Sequence, residues 1–234
     1  LLNRSSDLTT TNLPNHISII MDGNGRGALD KNLKRIDGHK AGVKTVKKIT
    51  KHCAKKGIKC LSLFTFSSEN WLRPKTEVKS LMKLFISTLD KELNLLIDNN
   101  ICFKVIGDKD KLDYFTRKNI DYVENLTSKN TGMKMILAMS YGGRQDIVFA
   151  INKLIDKGNK KINEDDISKY LLTNEITDPD LLIRPGKERR ISNFYLWQLA
   201  YSEIYFSDIL WPDFDEKDLD EIIKDFQLRE RRYG

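Results

Sequence analysis

His16-Ile17-Ser18-Ile19-Ile20-Met21 runs straight into Asp22-Gly23-Asn24-Gly25-Arg26, and the fold turns on how that junction is read. The first six residues, mostly apolar and β-favouring, read as a strand buried on both faces, the kind found in parallel sheets. The glycine-bracketed stretch behind them predicts a loop whose backbone N–H groups turn outward around an anion. Arg26 supplies a planar, permanent cation suited to phosphate oxygens, and Asp22 a hard carboxylate oxygen suited to Mg2+. A plain surface turn is the competing reading of so short a stretch.

The same pattern recurs along the chain. Strands are predicted at 16–21, 60–66, 102–106, 133–139, 181–184 and 203–206. Between the first two, Val43, Val46, Ile49 and Cys53 recur at helical spacing, and Gly57 ends the run. The segment 77–97 carries Val78, Leu81, Met82, Phe85, Leu89, Leu93 and Leu96 on one stripe, which Leu84, Ile86 and Leu95 widen. Helices are also predicted at 111–125, 146–156, 165–172 and 216–230, with a solvated loop at 157–166. This alternation predicts an α/β fold: a mostly parallel six-stranded sheet flanked by helices, as a single domain over 14–234 behind a polar arm at 1–13. Ligands of such sheets bind beyond the carboxyl ends of the strands. Asp22, residues 67–70, residues 141–144 and Arg184 would then share one rim. The wide stripe at 77–97 fits a helix buried on two sides, or one that also lines a hydrophobic tunnel beside the sheet, as a hydrocarbon substrate needs.

Composition narrows the partners. With 40% hydrophobic and 31% charged residues, the 234-residue chain reads as globular. No apolar run approaches the roughly 20 residues that cross a bilayer. The first 13 residues lack a signal-peptide core and an initiating Met, so they read as the edge of a trimmed chain, with any targeting segment upstream out of view. The three cysteines Cys53, Cys60 and Cys102 read as thiols of a reducing compartment, and the three histidines offer no zinc-ligand spacing. A net charge of +7 favours an anionic partner: nucleic acid, an acidic membrane surface or a phosphorylated small molecule. Nucleic acid is disfavoured because no reader motif and no interleaving of aromatics with exposed base is present.

Two further stretches carry polar chemistry. In Phe66-Ser67-Ser68-Glu69-Asn70-Trp71, followed by Arg73 and Pro74, Ser67 and Asn70 can bond phosphate or orient a water, and Trp71 offers an apolar wall. The same residues also suit a helix-capping turn. Arg184-Pro185-Gly186-Lys187-Glu188-Arg189-Arg190-Ile191-Ser192 is a basic loop in which Arg184, Arg190 and Ser192 can grip a second diphosphate. Glu164-Asp165-Asp166 lacks the third aspartate of an Asp-Asp-x-x-Asp metal motif and reads as helix N-terminal charge.

Taken in order, these blocks resemble the cis-prenyltransferase family, the undecaprenyl diphosphate synthases and their dehydrodolichyl relatives. The matching stretches are 16–26, Gly38-His39-Lys40-Ala41-Gly42, 66–74 with Glu77-Val78, Tyr141-Gly142-Gly143-Arg144, 180–184, 190–194, Trp197-Gln198, 203–214 and 229–234. The resemblance implies Mg2+-dependent extension of an allylic diphosphate, typically farnesyl diphosphate, by isopentenyl diphosphate units, giving a medium-chain polyprenyl diphosphate with cis double bonds. It implies Asp22 as the residue nearest the chemistry and a metal ligand, with Glu203 as a second metal-related carboxylate. Gly23, Asn24, Gly25, Arg26, Arg35 and His39 resemble the allylic diphosphate site. Ser67, Asn70 and Arg73 resemble the loop that couples the two substrates, which implies catalytic roles for Ser67 and Asn70, and Phe66, Ser68 and Trp71 are expected to bind substrate beside them. Arg184, Arg190 and Ser192 resemble the isopentenyl diphosphate site. Arg232-Tyr233-Gly234 matches a terminal Arg-x-Gly in which Arg232 and Gly234 serve the neighbouring subunit, so a homodimer is expected. The lipid product implies a cytoplasmic enzyme or one peripheral to a membrane.

Three positions depart from the family pattern. Gly27 stands where the family usually has tryptophan, which predicts a barer, freer loop. Pro185 replaces a threonine, removing a hydroxyl and an N–H, and Lys187 adds a charge. The rival function is a non-catalytic activating subunit of a two-subunit prenyltransferase.

Overall fold

In the computed structural model, which describes residues 13–229, six strands form one sheet. They are β1 (His16–Ile20), β2 (Cys60–Ser67), β3 (Cys102–Ile106), β4 (Lys134–Tyr141), β5 (Leu181–Pro185) and β6 (Glu203–Ser207). Their order is β3-β4-β2-β1-β5-β6, and every pairing is parallel. All five residues of β1 are buried, as a central parallel strand requires. The chain leaves β1 toward β2 on one side and later returns to its other side with β5. The crevice between the carboxyl ends of β1 and β5 is therefore the topological switch point, where ligands of open α/β sheets bind.

Alternation along the strands makes the two faces chemically unlike. Ile17 and Ile19 of β1, with Leu61 and Leu63 of β2, enter the larger core. Over that face lie α2 (Arg35–Lys56), α3 (Lys75–Asp98), α4 (Tyr114–Thr127) and α7 (Glu216–Leu228), which contribute Ile49 and Cys53, Leu89 and Leu96, Ile120 and Val123, and Leu219 and Phe226. Truncating one such fully buried aliphatic to alanine costs about 2–5 kcal/mol. The opposite face carries polar groups: His16, Ser18 and Ser62 are all wholly buried. It is closed by Phe194, Tyr195 and Leu199, with α5 (Gly143–Asp156) and α6 (Glu164–Tyr170) beyond. Cys53 and Cys60 are buried, which pushes both thiols up to about 12; Cys102 is partly exposed.

The predicted strands and long helices all form, with ends moved by a few residues. The difference lies at the opening junction. Only Gly23, at φ 97°, breaks the chain there; the next residue already begins a short helix, α1 (Asn24–Leu29). Neighbours hold that helix. Gly38 of α2 lets the Asn24 carbonyl approach so closely that an added Cβ would sit 1.9 Å from it. The loop predicted at 157–166 gives up its last residues to the first turn of α6, where the Asn163 side chain accepts from the Asp166 N–H and the acidic residues 164–166 sit. Of the polar arm at 1–13, residues 1–12 lie outside the described residues, and Leu13 packs on the larger core.

The edge strand β3 is closed by side chains. Val105 donates its N–H to Glu124 Oε1 at 2.7 Å and Phe103 donates its N–H to Thr127 Oγ1 at 3.2 Å, both acceptors coming from α4. Free donors of an edge, which would otherwise invite another strand, are thereby satisfied.

The buried polar groups on the second face form one chain of hydrogen bonds. Tyr195 O–H donates to Ser62 Oγ at 3.0 Å, Ser62 Oγ lies 2.7 Å from His16 Nε2, and His16 Nδ1 lies 2.6 Å from the Thr177 carbonyl. That carbonyl can only accept, so Nδ1 carries the proton and Nε2 accepts from Ser62. A second proton on the ring would break the chain. Burial lowers the His16 pKa to about 4, against smaller opposing effects of Thr177 and Asp180. The unfolded chain therefore takes up this proton first as the pH falls, and stability is lost between pH 6.5 and about 4. Between pH 7 and pH 5 the loss from this group should be about 2 kcal/mol. Urea unfolding at both pH values checks it: a His16→Gln variant should lose less on acidification than the parent, and an equal loss would clear His16 of the effect.

Candidate active site

At the switch point a buried guanidinium meets a carboxylate. Arg184, penultimate residue of β5 and 3% exposed, donates Nη2 to Asp22 Oδ2 at 2.8 Å. Its Nη1 donates to Ser192 Oγ at 2.8 Å and to the Arg190 carbonyl. Asp22 Oδ1 accepts from the Gly23 N–H at 2.6 Å, and Arg26 Nη2 stands 3.2 Å from it. Burial pushes the Asp22 carboxyl up, but the bonds from Arg184 and Gly23 and the charges of Arg184 and Arg26 outweigh that and hold it below the usual range. Asp22 is thus fixed in its ionised form.

The backbone clamps the same spot. Trp211 donates its N–H to the Asp22 carbonyl at 2.9 Å. Gly186, at φ 108°, passes so close that an added Cβ would lie 2.9 Å from Asp22 Cβ, and its carbonyl accepts from Arg26 at 2.5 Å. Glu188 accepts from Arg190 and lies 3.6 Å from Arg26, so one carboxylate links two of the candidate phosphate arginines.

The opposite lip follows β2. Asn70 Oδ1 accepts from the Ser67 N–H at 3.1 Å, the capping turn that the sequence also allowed. Arg73 pairs with Glu77 at 3.1 Å. Trp71 donates Nε1 to Ser140 Oγ at 2.8 Å and packs edge-on against Phe66, with ring centres 5.1 Å apart. Glu69 accepts from Asn193 at 2.8 Å, joining this lip to the segment after the basic loop. Asn193 in turn accepts from the Gly143 and Arg144 N–H groups. His39 stands on α2, where burial and then Arg73 lower its pKa, which keeps the imidazole neutral at physiological pH.

These groups surround the mouth of a cavity of about 380 Å3. Asp22, Asn24, His39, Ser67, Asn70 and Arg73 line its polar end, together with Arg184, Arg190 and Ser192. Phe66 lines it too, and Val43, Val46, Leu81, Phe85, Leu137 and Met139 form apolar walls. A smaller cavity of about 70 Å3 shares Val43, Val46, Phe85, Thr88 and Leu137 with it. Gly23, Gly25, Arg26, Arg35, Ser68 and Trp71 stand beside the mouth without lining it; Arg35 lies over Gly25. The wall residues of α2 carried a visible signal, since Val43 and Val46 head the helical stripe. Glu188, Gly186 and Trp211 carried none, because their roles come from contacts across the fold.

One expected site residue does not join. Glu203 opens β6 level with Leu181, which is itself level with Ile17, so it lies at the amino end of the sheet while Asp22 follows the carboxyl end of β1. There it accepts from Arg229 at 2.7 Å. Within one chain Glu203 therefore stands apart from Asp22. Arg232 and Gly234 lie outside the described residues. Among the described residues no cluster of three His, Cys, Asp or Glu groups is positioned for a metal. Asp22 with surrounding arginines nevertheless fits Mg2+, which takes one or two protein carboxylates and completes its shell with phosphate oxygens and water. The departures at Gly27 and Pro185 are also clarified. Gly27 is buried and covered by Leu210 and Pro212, so the loop is not bare. Pro185 closes β5 opposite Ser207, and the turn beyond it is held by the Gly186 and Lys187 N–H groups.

The Gly186 geometry yields a test. Gly186→Ala should destabilise the fold by about 1–3 kcal/mol and displace Asp22. Thermal unfolding and turnover should fall together; a variant as stable and active as the parent would refute this close approach.

Comparison with known proteins agrees with the geometry. Residues 20–234 match the Prenyltransf family model, that of undecaprenyl diphosphate synthase. The chain is 50% identical over 227 residues to an isoprenyl transferase of Neisseria meningitidis serogroup A, covering 97% of this chain and 92% of the relative. It is 45% identical over 234 residues to the ditrans,polycis-undecaprenyl-diphosphate synthase ((2E,6E)-farnesyl-diphosphate specific) of Haemophilus influenzae, covering 97% of this chain and 98% of that one. Among solved structures, lavandulyl diphosphate synthase from Lavandula x intermedia in complex with dimethylallyl diphosphate superposes with a TM-score of 0.91 at 38% identity, over 94% of this chain and 98% of that one. The chain therefore belongs to the undecaprenyl diphosphate synthase family of prenyltransferases.

Proposed function

We propose that the chain joins isopentenyl diphosphate to farnesyl diphosphate and repeats the step to a medium-chain polyprenyl diphosphate, each new double bond being cis. One observation carries this reading. An ionised Asp22, gripped by Arg184 and flanked by Arg26, stands at the guanidinium-lined mouth of a cavity whose deeper walls are apolar.

Each condensation breaks the allylic C–O bond, forms one C–C bond and releases diphosphate and a proton. Arg26 and Arg35, with the first-turn N–H groups of α1, would neutralise the charge growing on the departing diphosphate. Arg184, Arg190 and Ser192 would hold the isopentenyl diphosphate. Ser67 and Asn70 sit on the lip between the two groups, where a donor couples the substrates and helps the proton leave. Mg2+, held by Asp22 and diphosphate oxygens, would supply further charge neutralisation when bound. The two adjoining cavities would act as one apolar channel, keeping water from the allylic cation and housing the growing chain. Family membership and the assembled Asp22–Arg184–Arg26 group favour catalysis over the role of a non-catalytic subunit. No helix among the described residues is long and apolar enough to cross a membrane. The lipid product places the enzyme's work in the cytoplasm or at a membrane surface that receives it. A homodimer, with the terminal Arg232 and Gly234 completing the partner's site, is part of the same reading; an active monomer by light scattering would count against it.

Purified protein given farnesyl diphosphate, radiolabelled isopentenyl diphosphate and Mg2+ should produce a ladder of extended products that disappears with a chelator. Absence of any product from folded protein would sink the reading. Asp22→Ala should lower kcat by about 10²–10³-fold, the scale of losing one central electrostatic group, while diphosphate binding survives. Arg190→Ala should raise the KM for isopentenyl diphosphate far more than that for the allylic substrate; equal effects would mean that the two sites are misassigned.

A further inference from the structure

The smaller cavity has a charged wall. Lys47 of α2 and Glu92 of α3 both line it, and Lys47 Nζ lies 2.8 Å from Glu92 Oε2. Apart from Thr50 and Thr88, every other lining residue there is apolar. Glu92 Oε2 is shielded from solvent and makes no hydrogen bond of good geometry, so it depends on the Lys47 charge alone. The pair bridges the two helices that form the outer walls of the main cavity. From Glu77, beside Arg73 at the polar mouth, α3 advances about 22 Å before it reaches Glu92.

We propose that the Lys47–Glu92 pair is a specificity determinant, the stop that ends chain elongation; this rests on the condensation activity proposed above. A hydrocarbon chain growing down the channel passes Val46, Phe85 and Leu89 freely. Its next step would cover the Glu92 carboxylate with apolar carbon or push the two charges apart. Burying a charge without its partner is strongly unfavourable, whereas separating a half-exposed pair is cheap. The stop is therefore soft, and it predicts a main product with a short tail of longer ones. The partners also differ. Removing Glu92 takes away both the charge and part of the wall. Removing Lys47 leaves the carboxylate in place to oppose the chain.

The test is the chain-length distribution made by the full-length protein from farnesyl diphosphate, radiolabelled isopentenyl diphosphate and Mg2+. In Glu92→Ala the main product should move up by at least one isoprene unit. Lys47→Ala should give a smaller shift. The double variant Lys47→Glu/Glu92→Lys, which reverses the pair, should return the distribution to that of the parent, and melting curves confirm that each variant is folded. A ladder in the parent that Glu92→Ala leaves unmoved would overturn the stop while leaving the activity intact. So would a reversed pair whose products stay as long as those of Glu92→Ala. No ladder in the parent would overturn the activity, and the stop with it.

Discussion

The site depends on one buried charge. Arg184 is almost wholly enclosed, and a guanidinium so placed is tolerable only when charges and acceptors surround it. Asp22 on one side, and Ser192 with the Arg190 carbonyl on the other, supply them from two separate stretches, while Nε keeps no partner. Satisfying this group forces the end of β1, the end of β5 and the far end of the basic loop into one place. The chemistry then inherits its geometry from a folding requirement. Removing Arg184 would also free Asp22 and cut the loop loose, so the effects of these residues on stability and turnover should be far from additive.

The two faces of the sheet divide the work. The face covered by α2, α3, α4 and α7 is mostly apolar and leaves room for a cavity between helices and strands. The other is knitted by directional bonds from His16, Ser62 and Tyr195, and by Asp146, which accepts from Tyr141, Gln198 and the Leu172 N–H. A hydrogen-bonded face resists sliding because each donor has one geometry. The apolar face tolerates adjustment so long as volume is conserved. An enzyme that must accommodate a lengthening substrate is well served by adaptability on one side of its sheet and rigidity on the other.

Much of this was legible in the sequence, for identifiable reasons. The strands could be read because a sheet buried on both faces demands near-continuous β-favouring runs, and α2 and α3 because their stripes are long. The helix α1 could not: six residues with glycines at 25 and 27 have poor propensity and no period, and only packing against Gly38 and Leu210 makes them helical. Site residues next to strand ends were legible because the topology of parallel sheets collects them. The place of Glu203 at the amino end of the sheet could not be read, because a carboxylate near a strand carries no mark of which end it occupies; only the register with Leu181 decides that. Gly186 looked like an ordinary turn glycine, and its pressure on Asp22 exists only in three dimensions.

Because every strand runs the same way, the helices between them return in the opposite sense. The first turns of α2, α3 and α5 therefore all lie at the end where Asp22 stands. Each helix carries a partial positive charge at its start and a partial negative one at its finish. Summed over the molecule, these dipoles make the backbone a field directed along the sheet, positive at the rim that meets the diphosphates. The last turn of α2, at the other end, carries Lys55 and Lys56, cations that complement the negative pole. An approaching anion would feel this gradient before it touched any single arginine, and substitution of surface side chains would leave most of it in place.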